Sequence, residues 1–338
     1  MASSPRLGRS RASSVVVAIL VAALVVVAAA ILLGARDAPG PTPGASANAA
    51  GASPGASATA AGSSGATASA RPLSGAVLVG AGDIADCASD GDEATALLLD
   101  GLEGTVFTLG DNVYERGTAQ EFQRCYDPTW GRQKSRTRPV PGNHEYLTSD
   151  AAGYFGYFGG SAGSADTGWY AYDAGSWRVY VLNSNCVEVG GCDAGSAQER
   201  WLRDDLAENP RRCTMAMWHH PRFSSGQHGN DASTQALWEA LSEAGAELIL
   251  NGHDHDYERF GPQSPAGAAD PDRGIVEIVV GTGGRSHYPF AIIRDQSVVR
   301  DASTYGVLRL VLADGSWFSE FIPVAGGDFH DEAGGTCH

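Results

Sequence analysis

The chain has 338 residues, with 23 Lys and Arg against 39 Asp and Glu, so its formal net charge at pH 7 is −16. Five basic residues but only one acidic residue precede residue 75, which leaves the remainder with 18 basic and 38 acidic residues, a net charge of −20. A domain this acidic is a poor candidate for nucleic-acid binding, and we expect no nucleic-acid partner.

The N-terminal third of the chain contains a segment with the properties of a membrane anchor. Residues 15–33 form an uncharged apolar run about long enough to cross a bilayer. Residues 1–14 carry Arg but no acidic residue, which predicts a cytoplasmic N-terminus and an extracytoplasmic remainder. The alternative is a long signal peptide and secretion after its cleavage. We expect contact with the membrane through this segment only, and the sequence does not indicate an oligomeric state.

Residues 34–74 are dominated by Ala, Gly, Ser and Pro, a composition that predicts a disordered linker. We assign residues 75–325 to one large domain and residues 326–338 to a C-terminal tail. Six cysteines follow the linker, an even number that predicts up to three disulfides in an exported protein. Cys186 and Cys192 bracket a short glycine-containing loop and are the favoured pair.

Strands and helices are predicted to alternate through most of the domain. In chain order, the predicted elements are a strand over 77–79, a helix over 93–102, strands over 106–109 and 177–183, a helix from a cap at Ser196 to before Pro210, a strand over 214–218, a helix over 233–244, and strands over 247–250, 275–280, 306–312 and 317–322. Asp314-Gly315 indicates a hairpin between the last two strands. This order predicts an α/β fold with a mixed sheet.

Polar side chains follow several of the predicted strands directly. His253 and His255 come after the strand over 247–250, and Asp83 and Asp111 each follow a glycine at the end of an apolar run. Ligands of α/β folds gather beyond the carboxyl ends of the strands. Two histidines two residues apart in such a loop favour a role at two neighbouring metal ions, because helical ligands to one ion are spaced by three or four residues.

Five motifs in order along the chain resemble those of a known family. They are Gly82-Asp83, Gly110-Asp111-Asn112-Val113-Tyr114, Gly142-Asn143-His144-Glu145, Trp218-His219-His220-Pro221 and Gly252-His253-Asp254-His255. This set resembles the calcineurin-like metallophosphoesterases and, within them, the purple acid phosphatases. The resemblance implies a sandwich of two mixed β-sheets flanked by helices, with residues 75–325 as the catalytic domain.

The resemblance also implies a ligand set for two metal ions. Asp111 would bridge the ions; the first site would be completed by Asp83, Tyr114 and His255, and the second by Asn143, His219 and His253. His219 is preferred over its neighbour because the ligand in the family stands two residues before a proline.

Tyr114 points to the subfamily. Most relatives carry a histidine ligand where this chain has Ala85, and the purple acid phosphatases replace it with a tyrosine three residues after the bridging aspartate. A phenolate is a hard anionic donor, which favours Fe(III) in the first site. The second site would hold Fe, Zn or Mn.

Acid–base and substrate-binding residues are predicted around the ligands. His228 and His144 are the candidates for protonating the leaving oxygen, since imidazole titrates near neutral pH. Asn143, Arg222 and Arg285 are candidates for binding the phosphate group. Asp256 or Glu258 would orient a metal-binding imidazole.

The resemblance therefore implies a di-metal phosphoesterase of the acid phosphatase type for a small phosphorylated substrate, and the N-terminal segment predicts that it is extracytoplasmic. It would hydrolyse phosphomonoesters by attack of a metal-bound hydroxide. The alternatives are a phosphodiesterase or nucleotide hydrolase with the same centre, and a non-catalytic cell-surface binding module that retains the fold.

Overall fold

The computed structural model describes residues 74–338. The predictions for the N-terminus (1–14), for the apolar segment (15–33) and for the linker up to residue 73 fall outside the described residues. Within residues 74–338, no helix is both long enough and apolar enough to span a membrane.

Fifteen strands and five α-helices make up the regular structure of this part of the chain. The strands are β1 (Gly75–Ala81), β2 (Ala85–Asp86), β3 (Thr105–Thr108), β4 (Val113–Tyr114), β5 (Thr137–Arg138), β6 (Tyr170–Ala174), β7 (Trp177–Val181), β8 (Cys213–Met217), β9 (Leu248–Asn251), β10 (Tyr257–Phe260), β11 (Val276–Val280), β12 (Ser297–Asp301), β13 (Gly306–Ala313), β14 (Ser316–Pro323) and β15 (Glu332–Thr336). The α-helices are α1 (Gly91–Gly101), α2 (Ala119–Glu121), α3 (Ala152–Phe158), α4 (Ala197–Glu208) and α5 (Gln235–Glu243).

Shorter helical turns occupy several connections. They comprise a π-turn at Phe122–Tyr126 and 3₁₀ turns at Trp130–Arg136, Glu145–Leu147, Ser149–Ala151, Gly159–Ala162 and Ala232–Thr234. The helix predicted from a cap at Ser196 is confirmed as α4, and the Ser196 side chain accepts a hydrogen bond from the Glu199 amide.

The strands form two large mixed sheets. The six-stranded sheet has the order β15-β14-β13-β1-β3-β5, and the seven-stranded sheet has the order β12-β10-β11-β9-β8-β7-β6. The neighbours β1, β3 and β5 run parallel in the first sheet, and β7, β8, β9 and β11 run parallel in the second. Parallel strands bring their carboxyl ends to one edge of each sheet.

A continuous apolar core packs the two sheets against each other. Leu78 and Leu310 of the first sheet belong to the same buried cluster as Met215, Leu250 and Val280 of the second. A second buried cluster, built around Trp218 and Trp238, packs α4 and α5 onto the seven-stranded sheet. The predicted sandwich of mixed sheets flanked by helices is confirmed.

Three disulfides use all six cysteines: Cys87–Cys125, Cys186–Cys192 and Cys213–Cys337. The favoured Cys186–Cys192 pair is confirmed. Residues 326–338, which we assigned to a tail, contribute β15 at the edge of the six-stranded sheet, and Cys337 ties their end to β8. Strands β6, β10 and β12 and helix α3 are further elements that the sequence did not indicate.

Candidate metal centre

The predicted ligands gather where the parallel strands of both sheets end. Asp83 follows β1, Asp111 follows β3, Asn143 follows β5, His219 follows β8 and His253 follows β9. The loops after these strands come from two different sheets, yet hydrogen bonds join their side chains directly. The fold therefore brings to one edge residues that are up to 172 positions apart, from Asp83 to His255.

A first cluster surrounds the hydroxyl oxygen of Tyr114. This oxygen lies 2.9 Å from Asp83 Oδ1, 3.3 Å from Asp111 Oδ2 and 3.2 Å from His255 Nε2. His255 Nε2 is also 3.5 Å from Asp83 Oδ1. All four side chains are buried. A phenol has one proton and can donate to only one of these partners, whereas a cation among the four would contact them all.

A second cluster surrounds Nε2 of His219. This nitrogen lies 3.0 Å from Asn143 Oδ1, 3.4 Å from Asp111 Oδ2 and 3.2 Å from His253 Nδ1. The same Asp111 oxygen thus belongs to both clusters. The seven predicted ligands divide between the clusters as the resemblance implies, with Asp111 shared.

Backbone carbonyls orient two of the imidazoles. His219 Nδ1 lies 2.7 Å from the carbonyl oxygen of Leu109, and His255 Nδ1 lies 2.8 Å from that of Ser286. Each contact places a proton on Nδ1 and turns Nε2 toward the cluster. The orienting groups are therefore carbonyls and not the carboxylates that the sequence suggested; Glu258 instead accepts a hydrogen bond from the Ser225 amide.

His220 lies beside the second cluster. A nitrogen of its ring is within 4.8 Å of ligand atoms of both His219 and His253. Its Nδ1 is 2.8 Å from Ser184 Oγ, which leaves Nε2 as its free atom. Burial lowers the pKa of His220 to about 3, so its ring is neutral at neutral pH.

The charges of the two clusters depend on one another. Burial raises the pKa of Asp83 well above its ordinary value, and the nearby charge of Asp111 adds to this effect. Burial also opposes ionisation of Asp111, but the charges of His219 and His144 outweigh it and lower the pKa of Asp111. Burial lowers the pKa of His219, yet the carboxylates raise it to about 9. The buried carboxylates thus retain a proton on His219, a positive charge that a bound cation would supply instead.

Several of these residues have strained backbone conformations that the surrounding structure imposes. Asp83, Asp111 and His253 have positive φ values of 58°, 46° and 73°. Left-handed conformations cost non-glycine residues about 1–3 kcal/mol each and are concentrated at functional sites. Gly142 allows a close approach, because a Cβ at this position would lie 2.2 Å from Asp111 Oδ1.

Both predicted proton donors border a cavity of about 220 Å³ in front of the clusters. His144 Nδ1 lies 2.6 Å from the carbonyl oxygen of Glu115, and its Nε2 lies 3.8 Å from Asp111 Oδ2. The His228 ring lies 4.3 Å from that of His253, and its Nε2 is 3.2 Å from the Tyr288 hydroxyl. The structure therefore brings to one cavity two histidines that are far apart in the sequence.

The two candidate arginines lie in different surroundings. Arg285 borders the same cavity, with its guanidinium 4.5 Å from the centre of the Tyr114 ring. It also forms ion pairs with Asp86 and Glu115. Arg222 is not one of the residues that line this cavity, and its Nε donates to Gln235 at 2.6 Å.

Three residues that support the site were not assigned a role from the sequence. Glu145 is buried and accepts hydrogen bonds from the Asn112 and Gly142 amides at 2.8 Å and 2.7 Å. Asp254 accepts from the His228 amide at 2.8 Å and thereby holds the loop that carries this histidine. Tyr288 lines the cavity and stacks on His255 with 4.3 Å between ring centres. Glu145 and Asp254 lie inside quoted motifs; Tyr288 follows β11, as other site residues follow their strands.

The donor set fits two cations. Carboxylate, amide and phenol oxygens combine with imidazole nitrogens, a mixture suited to iron, zinc and manganese. The positions of the side chains therefore agree with a dinuclear centre, and the metal roles of the individual residues are taken up below as a proposal.

Comparison with known proteins finds relatives whose names describe them as acid phosphatases. Residues 77–257 match the family model of the calcineurin-like phosphoesterases. The chain is 31% identical over 216 residues to purple acid phosphatase 15 of Arabidopsis thaliana, covering 53% of this chain and 40% of that protein. It is 26% identical over 254 residues to human acid phosphatase type 7, covering 64% of this chain and 56% of that protein. The chain thus spans well under two thirds of the length of either relative.

Solved structures share the fold at low sequence identity. Purple acid phosphatase PPD1 from yellow lupin seeds superposes with a TM-score of 0.59 at 18% identity, covering 78% of this chain and 54% of that chain. GAP50, the anchor in the inner membrane complex of Plasmodium, superposes with a TM-score of 0.60 at 13% identity, covering 78% and 89%.

These comparisons confirm the resemblance that the five motifs indicated, including the link to purple acid phosphatases. Because the family model matches more than half of the chain, we conclude that this protein belongs to the calcineurin-like phosphoesterase family.

Proposed function

We propose that the protein is an extracytoplasmic di-metal phosphoesterase that hydrolyses phosphomonoesters. The observation that carries the proposal is the convergence of seven donor side chains in two clusters that share one oxygen of Asp111. Asp83, Tyr114 and His255 would complete the first metal site, and Asn143, His219 and His253 the second. When bound, two such cations supply Lewis acidity and make a nucleophile from water at neutral pH.

The remaining polar residues of the cavity would handle the phosphate and the leaving alcohol. Asn143 and Arg285 line the cavity and would bind phosphate oxygens. His228 or His144 would donate the proton to the departing alcohol oxygen. Asp254 holds the His228 amide and so positions that histidine against the cavity.

Tyr114 supports the assignment of Fe(III) to the first site. Burial and the charges of Asp83 and Asp111 raise the pKa of its phenol well above the ordinary value. The phenolate therefore forms only beside a cation of high charge, and a trivalent ion meets this requirement best. We propose Fe, Zn or Mn for the second site.

An extracytoplasmic location agrees with the three disulfides, which persist in oxidising compartments. We propose that residues 15–33 anchor the protein, that 34–74 form a linker, and that 75–325 form the catalytic domain. Secretion after cleavage of the N-terminal segment is the alternative.

A substrate panel tests the proposed activity. The purified protein is assayed with matched phosphomonoesters, phosphodiesters and nucleotides, beside an Asp111→Asn variant. We expect turnover of monoesters by the wild-type protein and a large loss in the variant. Turnover restricted to diesters or nucleotides would reassign the substrate class, and absence of any metal-dependent turnover would refute a catalytic function.

A binding module is a second candidate, favoured by one structural comparison. GAP50 shares the fold and is described as an anchor in a membrane complex. A binding module has no need of a metal-dependent nucleophile. Wild-type protein without activity, and an Asp111→Asn variant that binds as much metal as wild type, would favour this alternative.

A further inference from the structure

A second cavity adjoins the proposed metal centre. It has a volume of about 430 Å³ and shares Asn143 with the cavity in front of the clusters. His220, which lies beside the second cluster, also borders it. If the phosphate of a substrate is held at the clusters, the alcohol portion of that substrate would therefore lie within reach of this second cavity.

The lining of the second cavity is acidic and partly apolar. Glu188 and Asp231 contribute two carboxylates, and none of the residues that line it among residues 74–338 is Lys or Arg. Neither carboxylate takes part in an ion pair within this described part of the chain. Arg222 lies near enough to Asp231 to interact with its charge, but its Nε is bonded to Gln235.

Aromatic and aliphatic side chains complete the lining. Tyr146 borders the cavity, and its hydroxyl accepts a hydrogen bond from Asn183 Nδ2 at 2.7 Å. Leu147 and Val187 are 48% and 94% exposed at the rim. An aromatic ring face attracts substituted ammonium ions, and carboxylates attract the same ions by charge.

The local charge matches the charge of the whole domain, whose net value is −20 beyond residue 74. An alcohol portion with an anionic substituent would be repelled by Glu188 and Asp231. An uncharged alcohol portion would be tolerated, and a cationic alcohol portion would be attracted.

We propose that the second cavity binds the alcohol portion of the substrate and selects phosphomonoesters of cationic, amine-bearing alcohols over those of anionic alcohols. This inference rests on the proposed phosphomonoesterase function. Glu188 and Asp231 determine the specificity, and neither takes part in bond breaking.

Three substrates of similar length and different charge test the selection. They are phosphocholine, its neutral isostere 3,3-dimethylbutyl phosphate, and the phosphate monoester of 4-hydroxybutanoate. We expect kcat/KM to fall in that order, by about fivefold for each step, as an interaction between partly exposed charges would give.

The matched variants carry the same change in net charge. Glu188→Gln/Asp231→Asn should reduce the ratio between phosphocholine and its isostere to about one. The Asp231 Oδ1 atom accepts from the Ser233 amide at 2.8 Å, and Asp231→Asn retains an oxygen acceptor there, so the loop is preserved. Glu103→Gln/Asp314→Asn alters two exposed acids elsewhere and should keep the wild-type ratio.

The outcomes separate this inference from the proposed function. Hydrolysis of p-nitrophenyl phosphate with equal kcat/KM for the three test substrates would overturn the selection and leave the phosphatase function standing. An unchanged ratio in Glu188→Gln/Asp231→Asn would also overturn it. No hydrolysis of any monoester by the wild-type protein would refute both.

Discussion

Glu145 offers a sharp test of how the metal loops are held together. Its Oε1 accepts from the Asn112 and Val113 amides at 2.8 Å and 3.3 Å, in the loop between Asp111 and Tyr114. Its Oε2 accepts from the Gly142 amide at 2.7 Å, directly before Asn143. One buried carboxylate thus joins the loops that follow β3 and β5, and we expect Glu145→Ala to loosen both.

The size of the effect follows from the groups left without a partner. Glu145→Ala removes the acceptor of three backbone N–H groups, and each unsatisfied buried group costs about 1–3 kcal/mol. Burial and the charge of Asp111 raise the pKa of Glu145 to about 7. The ionised carboxylate is therefore costly to bury, and relief of this cost in Glu145→Ala offsets part of the lost stability. We expect the free energy of unfolding to fall by about 4 kcal/mol.

The assay separates stability from metal binding. Urea unfolding in the presence of a chelator, followed by tryptophan fluorescence, gives the free energy of the metal-free protein. Leu99→Ala is the matched control, since a buried Leu→Ala change costs about 3–5 kcal/mol and Leu99 lies in α1, outside the metal loops. We expect the control to retain its metal after reconstitution and Glu145→Ala to lose it.

Two results would refute the reasoning about Glu145. One is a variant within about 1 kcal/mol of wild type, which would mean that water or another group replaces the carboxylate. The other is full metal binding by Glu145→Ala, because the loops would then hold their ligands without it.

Three further changes address other parts of the account. Tyr114→Phe should abolish the visible charge-transfer band of an Fe(III)–phenolate pair while iron is retained; an unaltered visible spectrum would remove Tyr114 from the ligand set. His228→Gln should lower kcat by about 10²-fold for alkyl phosphates and far less for p-nitrophenyl phosphate, whose leaving group needs no proton; equal losses on both would exclude the acid role. Asp331→Asn should lower the unfolding free energy by about 2 kcal/mol, because Asp331 accepts from the Arg259 guanidinium at 2.7 Å and 3.0 Å. Burial raises the pKa of Asp331, but these bonds outweigh it and hold the pKa below its ordinary value. The wild-type stabilisation is therefore present above the unfolded pKa and lost as pH falls through the folded pKa, whereas Asp331→Asn should lack this acid limb in urea titrations.

The full set of candidate ligands was inferred from the resemblance, whereas local patterns by themselves indicated only polar residues placed directly after apolar strands, such as Asp83, Asp111, His253 and His255. His219 and His253 follow β8 and β9, which are short and fully buried, and such apolar strands can be recognised from the sequence without knowledge of their neighbours. The division of His253 and His255 between two clusters came from the resemblance. The structure adds the physical reason, because His253 has a φ of 73° and the chain turns between the two rings.

Strand β15, which the sequence did not indicate, depends on distant contacts. The residues of β15 include two glycines and have little strand propensity of their own. Their order comes from pairing with β14 and from the Cys213–Cys337 disulfide, which joins positions 124 residues apart. Tyr288 reaches the site through the packing of its loop on His255, a contact between residues 33 positions apart that no local pattern encodes.

The support around the ligands was also hidden from the sequence. Asp256 or Glu258, which follow His255 closely in the sequence, was expected to orient an imidazole, but the structure uses the carbonyl oxygens of Leu109 and Ser286. A backbone carbonyl is present at every residue, so its role depends on the fold and not on the side chain. Asp254 instead holds the His228 loop, 26 residues earlier in the chain.

The most direct test of the central claim is the metal content per chain of the purified protein and of its Asp111→Asn variant. Asp111 Oδ2 lies 3.3 Å from the Tyr114 hydroxyl and 3.4 Å from His219 Nε2, so one substitution weakens both clusters. We predict two bound ions in the wild-type protein and a marked loss of both in the variant. Fewer than two ions in the wild-type protein, or an unchanged content in Asp111→Asn, would contradict a dinuclear centre bridged by Asp111.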